Sequence, residues 1–404
     1  MGPLAGRTVV ELAHIMAGPV CGRMLADLGA DVIKVEKLPE GDTARSFIPP
    51  ALDGESAAFM MLNRNKRGMA VDLKTPEGVE IVRRLLARAD VVIENYRTGT
   101  MERLGLSYEA LHQANPGLIY CEISGFGRTG PFADRGGFDL IAQGYSGLMS
   151  ITGEGPGRPP VKCGPPLTDI TAGILAAMGV LAALVHRERT GQGQRVDTSL
   201  FEAGITQTYW QSAIALATGD SPGPMGSAHP LAAPYEAFET SDGWITVGAS
   251  SQSTWLGLTK ALDAPDLADD QRFRDNAARM RYRVTLAELL AARFRQRPSA
   301  AWLDRLEAAG VPAGPVLTVS EMLAHPQTLA RQMVADVPHS VLGVVPTLGF
   351  PIRLDATPAN LRRGAPILGE HTNEILRGLG YTEKEIAALE TKPVVRDAAG
   401  PARR

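Results

Sequence analysis

The N-terminal segment encodes a strand–helix–strand unit of the kind that binds dinucleotides, yet it lacks the glycines such binding requires. Thr8–Leu12 (TVVEL) reads as a buried strand, Val20–Leu28 as a helix and Asp31–Glu36 (DVIKVE) as a second buried strand. Continuous apolar strands of this type belong to parallel sheets covered on both faces. Glu36 falls roughly 20 residues on, where a ribose-binding acid sits in NAD enzymes. The first turn, however, is Ala13-His14-Ile15-Met16-Ala17-Gly18-Pro19, with no G-x-G-x-x-G to let backbone approach a pyrophosphate. Lys34 and Lys37 around Glu36 favour an anionic ligand over a bare ribose. NAD is disfavoured, and a phosphorylated nucleotide remains open.

The alternation continues. Met69–Leu73 is expected as a strand, and Thr75-Pro76-Glu77 supplies a cap, a first-turn proline and an early acid for a helix reaching Arg88. Asp90–Glu94 and Leu118–Ser124 are further strands, with a short helix at Ser107–Gln113 between them. Five strands by residue 124 argue for a doubly wound, Rossmann-like α/β domain. A glycine-rich loop, Gly125–Gly137, comes next. Ile170–Val185 is the longest apolar run, falls short of the roughly 20 residues a bilayer span needs, and carries Gly173 and Gly179; a buried helix is expected. Arg195–Ser199 is a strand and Leu200 opens a helix. Near Pro222–Pro230 the grammar changes. Tyr235–Thr240 and Trp244–Gly248 flank Ser241-Asp242-Gly243 as a β-hairpin, and helical patterns follow at Thr254–Leu262, Arg281–Arg297 and Ala300–Ala309. The expected division is therefore a large α/β domain over 1–224, a smaller α+β domain over 225–325, and a return to the large domain over 326–404. Extended structure is expected over Met333–Leu354, with closing helices at Thr372–Leu379 and Glu383–Leu389.

The 404 residues carry a formal net charge of −3, which gives no reason to expect nucleic acid or a membrane surface as partner. Cys21, Cys121 and Cys163 are far apart and form no CxxC, which speaks against a disulfide framework or a zinc site and for a reducing, cytoplasmic location. No signal peptide is expected.

Ligands of open parallel sheets bind beyond the carboxyl ends of the strands. The residues there are His14–Ala17, Lys37, Lys74 and Asn95-Tyr96-Arg97, with Arg103 a turn later. One loop lysine is usually a solvated charge. Several cations converging on one sheet edge suit a ligand with several phosphates and an adenine. Asp169 is the second focus. Thr168 or Asp169 is expected to N-cap the apolar helix, and a plain cap is the simple reading. A carboxylate at a helix N-terminus is also favoured in its ionised form and can serve as a nucleophile.

The stretches VVELAHIMAGPVCGRMLADLGADVIKVEK, EGDTAR, NRNKRGMAVDLKTPEG, ENYRTGTMERLGL, ISGFGRTGP, PPLTDITAG and GQGQRVDTSLFEA, in this order, resemble the class III CoA-transferases, the formyl-CoA transferase and carnitine CoA-transferase family. The resemblance runs from about residue 5 to residue 390. It implies ring-shaped subunits threaded through one another in an interlocked homodimer. It also implies transfer of CoA from an acyl-CoA to a carboxylic acid, with no metal or tightly bound cofactor. The family nucleophile falls on Asp169. CoA contacts fall on Met16, Ala17, Lys37, Val71, Asp72, Leu73, Lys74, Asn95, Tyr96, Arg97 and Arg103, beside His14. Lys37 stands where formyl-CoA transferase has arginine, which keeps charge and loses planar stacking. The glycine loop of the formyl-specific enzymes maps to Gly248-Ala249-Ser250-Ser251-Gln252, which keeps Gly248 and Gln252 and loses the middle glycines. Formyl specificity therefore does not transfer, and the wording is closer to the succinate–hydroxymethylglutarate type that uses dicarboxylic acids. The alternative is an α-methylacyl-CoA racemase-like isomerase. Those enzymes read G-H-D where this chain has Gly137-Phe138-Asp139, and Phe138, expected as a packing residue beside the pantetheine, cannot exchange a proton.

Overall fold

The computed structural model describes residues 2–398, so the terminal Arg403-Arg404 pair lies outside it. The chain forms two compact units. The larger takes the chain up to Ser146, Gly164–Gln207 and the chain from Pro326 onward. The smaller takes Gly147–Cys163 and Thr208–His325, a wider territory than 225–325.

The larger unit is built on a seven-stranded sheet. Its strands are β1 (Thr8–Leu12), β2 (Asp31–Glu36), β3 (Arg67–Val71), β4 (Val91–Glu94), β5 (Ile119–Ser124) and β6 (Arg195–Ser199). The smaller unit contributes β7 (Tyr235–Glu239), β8 (Trp244–Gly248) and β9 (Ala313–Pro315) to an antiparallel sheet of its own. The chain then returns with the hairpin β10 (Val334–His339) and β11 (Gly343–Leu348), and ends on β12 (Val395–Arg396). The order in the large sheet is β12-β3-β2-β1-β4-β5-β6, all parallel except the edge strand β12. The strand order reverses between β1 and β4, which opens a crevice beyond their carboxyl ends.

Period-two alternation divides the sheet residues between two cores. Val9, Val91, Ile93, Ile119, Cys121 and Ile123 face one side, beneath helices Ala17–Asp27 and Leu167–Thr190. Val10, Leu12, Ile33, Val35, Met69, Val71 and Val92 face the other, beneath Pro76–Leu86, Thr372–Gly378 and Glu383–Thr391. Thr75 caps Pro76–Leu86 by accepting from Gly78 N, with Pro76 in the first turn as expected.

The Leu167–Thr190 helix is long and apolar enough to cross a membrane by length and composition. Its small-residue face, Ala172, Ala176, Val180 and Ala183, is buried in the first core. Gly173 lets it approach Ala17–Asp27: a Cβ there would lie 2.6 Å from the Ala17 carbonyl oxygen and 2.7 Å from Val20. The opposite face leaves Ile174, Met178 and Val185 exposed.

Several elements differ from the reading of the sequence. The expected Arg281–Arg297 helix is the shorter Arg283–Phe294, and Asn276–Arg281 is a separate helix before it, divided from it at Tyr282, which leaves helical geometry. Tyr209–Thr218 is an additional helix with no buried residue, so no amphipathic period marks it in the sequence. Phe138 is 67% exposed and is no core filler, which leaves its ring free for the expected packing beside a pantetheine.

Candidate active site

The loops after four adjacent strands, β3, β2, β1 and β4, carry Lys74, Lys37, His14–Ala17 and Asn95–Arg97 in that order along the sheet edge. Three inter-strand spacings make this row about 14 Å long. Two of the loops are locked together across the crevice. His14 N donates to Asn95 Oδ1 at 3.0 Å, and Asn95 Nδ2 donates back to the His14 carbonyl at 2.8 Å. The His14 and Tyr96 rings meet edge to face with centroids 5.9 Å apart. Burial lowers the His14 pKa, although Asp42 opposes the shift. Met16 precedes the first turn of Ala17–Asp27, which has no capping side chain and no acid, so no side chain caps the N–H groups of Ala17 and Gly18.

The loop holds an unusual backbone. Ile15 is β-branched and sits at φ 65°, a conformation its side chain disfavours. Asp42 holds it there by accepting the Ile15 N–H at 2.9 Å. Burial opposes ionisation of Asp42, but Lys34 at 2.8 Å and the N–H groups of Ala44 and Ile15 hold its carboxyl down at about 2. Lys34 is fully buried, bonded also to Glu11 Oε1 at 3.0 Å and the Ala13 carbonyl at 2.9 Å. It therefore contacts no ligand, contrary to the reading of Lys34 as part of an anion site. Its ammonium is spent inside the protein, where it fixes the loop from beneath. Lys66 completes the cluster with Glu11 and the Pro19 carbonyl. Asp42 and Glu11 are residues that the sequence did not single out, and Lys34 acts from inside the protein rather than on a ligand. Their signal was a Glu and a Lys at matching positions of two adjacent apolar strands, Glu11 opposite Lys34.

Lys37, Lys74, Arg97 and Arg103 are exposed, and none is ion-paired with an acid among the described residues. The Arg103 guanidinium donates to Thr100 Oγ1 at 2.9 Å. Val71 is fully buried in the second core, so only its backbone can face a ligand; Leu73 packs against the same core and Asp72 accepts from Lys74 N.

Asp169 is not a cap. The Leu167–Thr190 helix has Pro166 at its N-cap, and Asp169 is its third residue. The capping acceptor comes from outside the helix: Asp139 Oδ1 takes Thr168 N at 3.0 Å and Thr168 Oγ1 at 2.8 Å. Asp169 lies one turn before Gly173 on the same helix face, and Gly173 touches the Ala17 carbonyl. The carboxylate is thereby brought to the start of Ala17–Asp27, at the crevice. Burial, and then the Asp139 carboxylate, push Asp169 up to about 7, against the pull of the helix dipole. No cation or hydrogen bond to its carboxylate offsets them among the described residues. A half-buried, unpaired carboxylate with a raised pKa has the basicity that nucleophilic or general-base chemistry requires.

A model of CoA-transferase family III matches residues 4–372. The chain belongs to CoA-transferase family III. It is 41% identical over 388 residues to a succinate–glutarate CoA-transferase of Agrobacterium fabrum, covering 95% of this chain and 97% of that one. It is 36% identical to the human succinyl-CoA:glutarate CoA-transferase, covering 97% of this chain and 90% of the other. A crystal structure of a CAIB/BAIF family protein from Brucella suis superposes with a TM-score of 0.84 at 44% identity, covering 94% of this chain and 99% of that one. As a family III CoA-transferase, the enzyme uses CoA thioesters as substrates.

The smaller unit holds Gly248–Gln252. Ala249 is buried and donates its N–H to the Pro234 carbonyl at 2.8 Å. Buried Arg279 binds the Ser250 carbonyl at 2.9 Å and Gln252 Oε1 at 3.0 Å, while Ser251 caps the Gln252–Ala261 helix. The segment is held by its own unit through specific bonds.

Proposed function

We propose that this family III CoA-transferase moves CoA from succinyl-CoA to a small dicarboxylic acid, with Asp169 as the covalent nucleophile. The observation that carries the reading is the unpaired Asp169 carboxylate at the crevice, raised to about 7. One Asp169 oxygen attacks the thioester carbonyl and the C–S bond breaks, giving a mixed anhydride and CoA thiolate. The thiolate then attacks the aspartyl carbonyl and releases the donor acid, leaving an aspartyl-CoA thioester. The acceptor carboxylate attacks that thioester and frees the thiolate again. The thiolate finally takes the acceptor's acyl carbon and regenerates the Asp169 carboxylate. No net proton is consumed, and the uncapped helix end beside the crevice favours each anion in turn.

CoA lies along the row Lys74, Lys37, Met16–Ala17 and Tyr96–Arg97, with Arg103 at its end. The unpaired cations of that row support this placement. Lys37→Ala, Lys74→Ala or Arg103→Ala should each raise KM for acyl-CoA more than it lowers kcat, since phosphate contacts stabilise ground and transition states alike. Unchanged CoA affinity by calorimetry in all three variants would refute the placement.

Gly248, Ala249, Ser250 and Gln252 are proposed to border the acid. The dicarboxylate preference rests on the succinyl-CoA and dicarboxylate substrates named for the relatives. It is tested by offering succinyl-CoA with a panel of acids and reading CoA esters by mass spectrometry. C4–C6 dicarboxylates should exceed formate and acetate by at least about tenfold, a difference of about 1.4 kcal/mol in transition-state binding. Formate or acetate leading by that margin would reverse the assignment.

The strand order β3-β2-β1-β4-β5-β6 supports the doubly wound, Rossmann-like reading of the larger unit. Exposed Ile174, Met178 and Val185 along one helix face, with Tyr209, Trp210 and Leu216 of the smaller unit, support the interlocked homodimer, since monomers rarely expose so many large apolar side chains. Sedimentation equilibrium should give the mass of two chains. The three free cysteines support a reducing, cytoplasmic setting.

A further inference from the structure

The carboxyl end of β4 and the body of β5 carry two buried glutamates side by side, Glu94 opposite Glu122 in the sheet register. Like charges directly opposite repel, and neither is in water. The cation between them comes from the glycine-rich loop that follows β5. Arg128 pairs with Glu94 Oε1 through Nη2, and its Nε lies 3.4 Å from Glu122 Oε1; the side chain is 8% exposed. Arg195 takes the other Glu122 oxygen. Burial raises the Glu94 pKa, and the Arg128 guanidinium opposes that rise.

Charge neutralisation accounts for only part of this guanidinium's geometry. Nη2 also reaches the Tyr96 carbonyl at 3.2 Å and Nη1 reaches Thr98 Oγ1 at 3.1 Å. Tyr96 N in turn donates to Glu94 Oε2 at 2.7 Å. Thr98 Oγ1 donates onward to the Ala133 carbonyl of the glycine-rich loop at 2.7 Å. The Tyr96–Thr98 turn is therefore stapled to that loop at both Arg128 and Ala133. The two ends of the loop touch: a Cβ on Gly125 would lie 2.7 Å from Gly137 N and 2.8 Å from its Cα. Two residues beyond Gly137, Asp139 caps Thr168 and sits beside Asp169.

We propose that Arg128 is a positioning residue that holds the CoA-contacting turn Tyr96–Thr98 and the Asp139–Asp169 end of the crevice in one fixed register. The proposal rests on the placement of CoA along Asn95–Arg97 and on Asp169 as the nucleophile. Loss of the clamp lets the thioester and the carboxylate drift apart, and a displacement near 1 Å costs about 100-fold in rate.

Three variants test it: Arg128→Met, Arg128→Lys, and the double variant Glu94→Gln with Arg128→Met. The single Met variant leaves Glu94 buried without its counter-ion and should lose stability. The double variant removes both charges, so its melting temperature should return toward the wild-type value. Its kcat should nonetheless remain down about 100-fold with KM for acyl-CoA up about tenfold, because the bonds to Tyr96 and Thr98 are still missing. Arg128→Lys keeps a charge for Glu94 and cannot span both Tyr96 and Thr98, so it should fold well and stay below about a tenth of wild-type kcat. A stable double variant or Arg128→Lys with wild-type kcat and KM would overturn the clamp and reduce Arg128 to a structural counter-ion. An active Asp169→Ala control would instead sink the nucleophile assignment, so the two failures are told apart.

Discussion

Asp169→Ala should bind CoA within about twofold of the wild-type affinity and lose transfer by several orders of magnitude. Among the described residues the carboxylate makes no hydrogen bond that shapes the crevice, so its removal should leave the binding row along β3, β2, β1 and β4 intact. What disappears is the covalent route, which divides one difficult exchange between two acids into attainable steps. A pH profile provides a second readout of the same group. Only the ionised carboxylate attacks, and burial with Asp139 raises its pKa to about 7. The kcat/KM for the acyl-CoA donor should therefore climb about tenfold per pH unit below 7 and level off above it. Asp139→Asn keeps an oxygen to accept from Thr168 and removes the neighbouring negative charge, so the inflection should move to lower pH. The stability linkage has the opposite sense. A carboxyl raised on folding contributes fully below its unfolded value and loses that contribution as pH rises through about 7. Asp169→Asn should thus be more stable than wild type at pH 8 and indistinguishable from it at pH 4. An Asp169→Ala enzyme with substantial transfer would remove the nucleophile from this residue.

The largest stability effect is expected at a residue that touches no substrate. Lys34→Met leaves Asp42 buried and unpaired at Oδ2, and leaves Glu11 with Lys66 alone. Breaking one side of a fully buried ion pair costs about 3–5 kcal/mol, most of it the burial of the abandoned charge. Denaturant unfolding at pH 7 should show this loss. Adding Asp42→Asn to Lys34→Met should recover a large part of it, because the amide oxygen can still accept from Ile15 and Ala44 while the buried charge is gone. Activity should not recover in parallel, since Ile15 at φ 65° depends on a firmly held partner and sets His14 and Met16. A loss below about 1 kcal/mol in Lys34→Met would show that the cluster is solvated rather than buried.

The parallel sheet was legible because each strand is a short apolar run ended by a turn signal, and because the helices between strands announce themselves by caps such as Thr75-Pro76. The crevice residues followed from strand ends alone. Direction of burial was harder to read. Lys34 and Lys37 look equivalent in DVIKVEK, but Lys34 falls inside the strand and pairs with Glu11 across the sheet, whereas Lys37 lies past its end in solvent. Asp169 read as a cap because caps are recognised locally, and the acceptor that does the capping, Asp139, comes from a distant part of the chain. Phe138, expected to pack beside the pantetheine of CoA, is two-thirds exposed and so is left out of the protein's own core. Tyr209–Thr218 lacked a period because a helix with no buried face need not alternate.

The most direct measurement traps the covalent intermediate. The enzyme is incubated with succinyl-CoA and hydroxylamine, digested, and the peptide containing Asp169 is sequenced by mass spectrometry. An aspartyl anhydride or thioester is cleaved by hydroxylamine to a hydroxamate, so Asp169 should carry that modification. Asp139 should remain unmodified, and no hydroxamate should form without the acyl-CoA. A fully active enzyme with an unmodified Asp169, or with the hydroxamate on another carboxylate, would contradict the account.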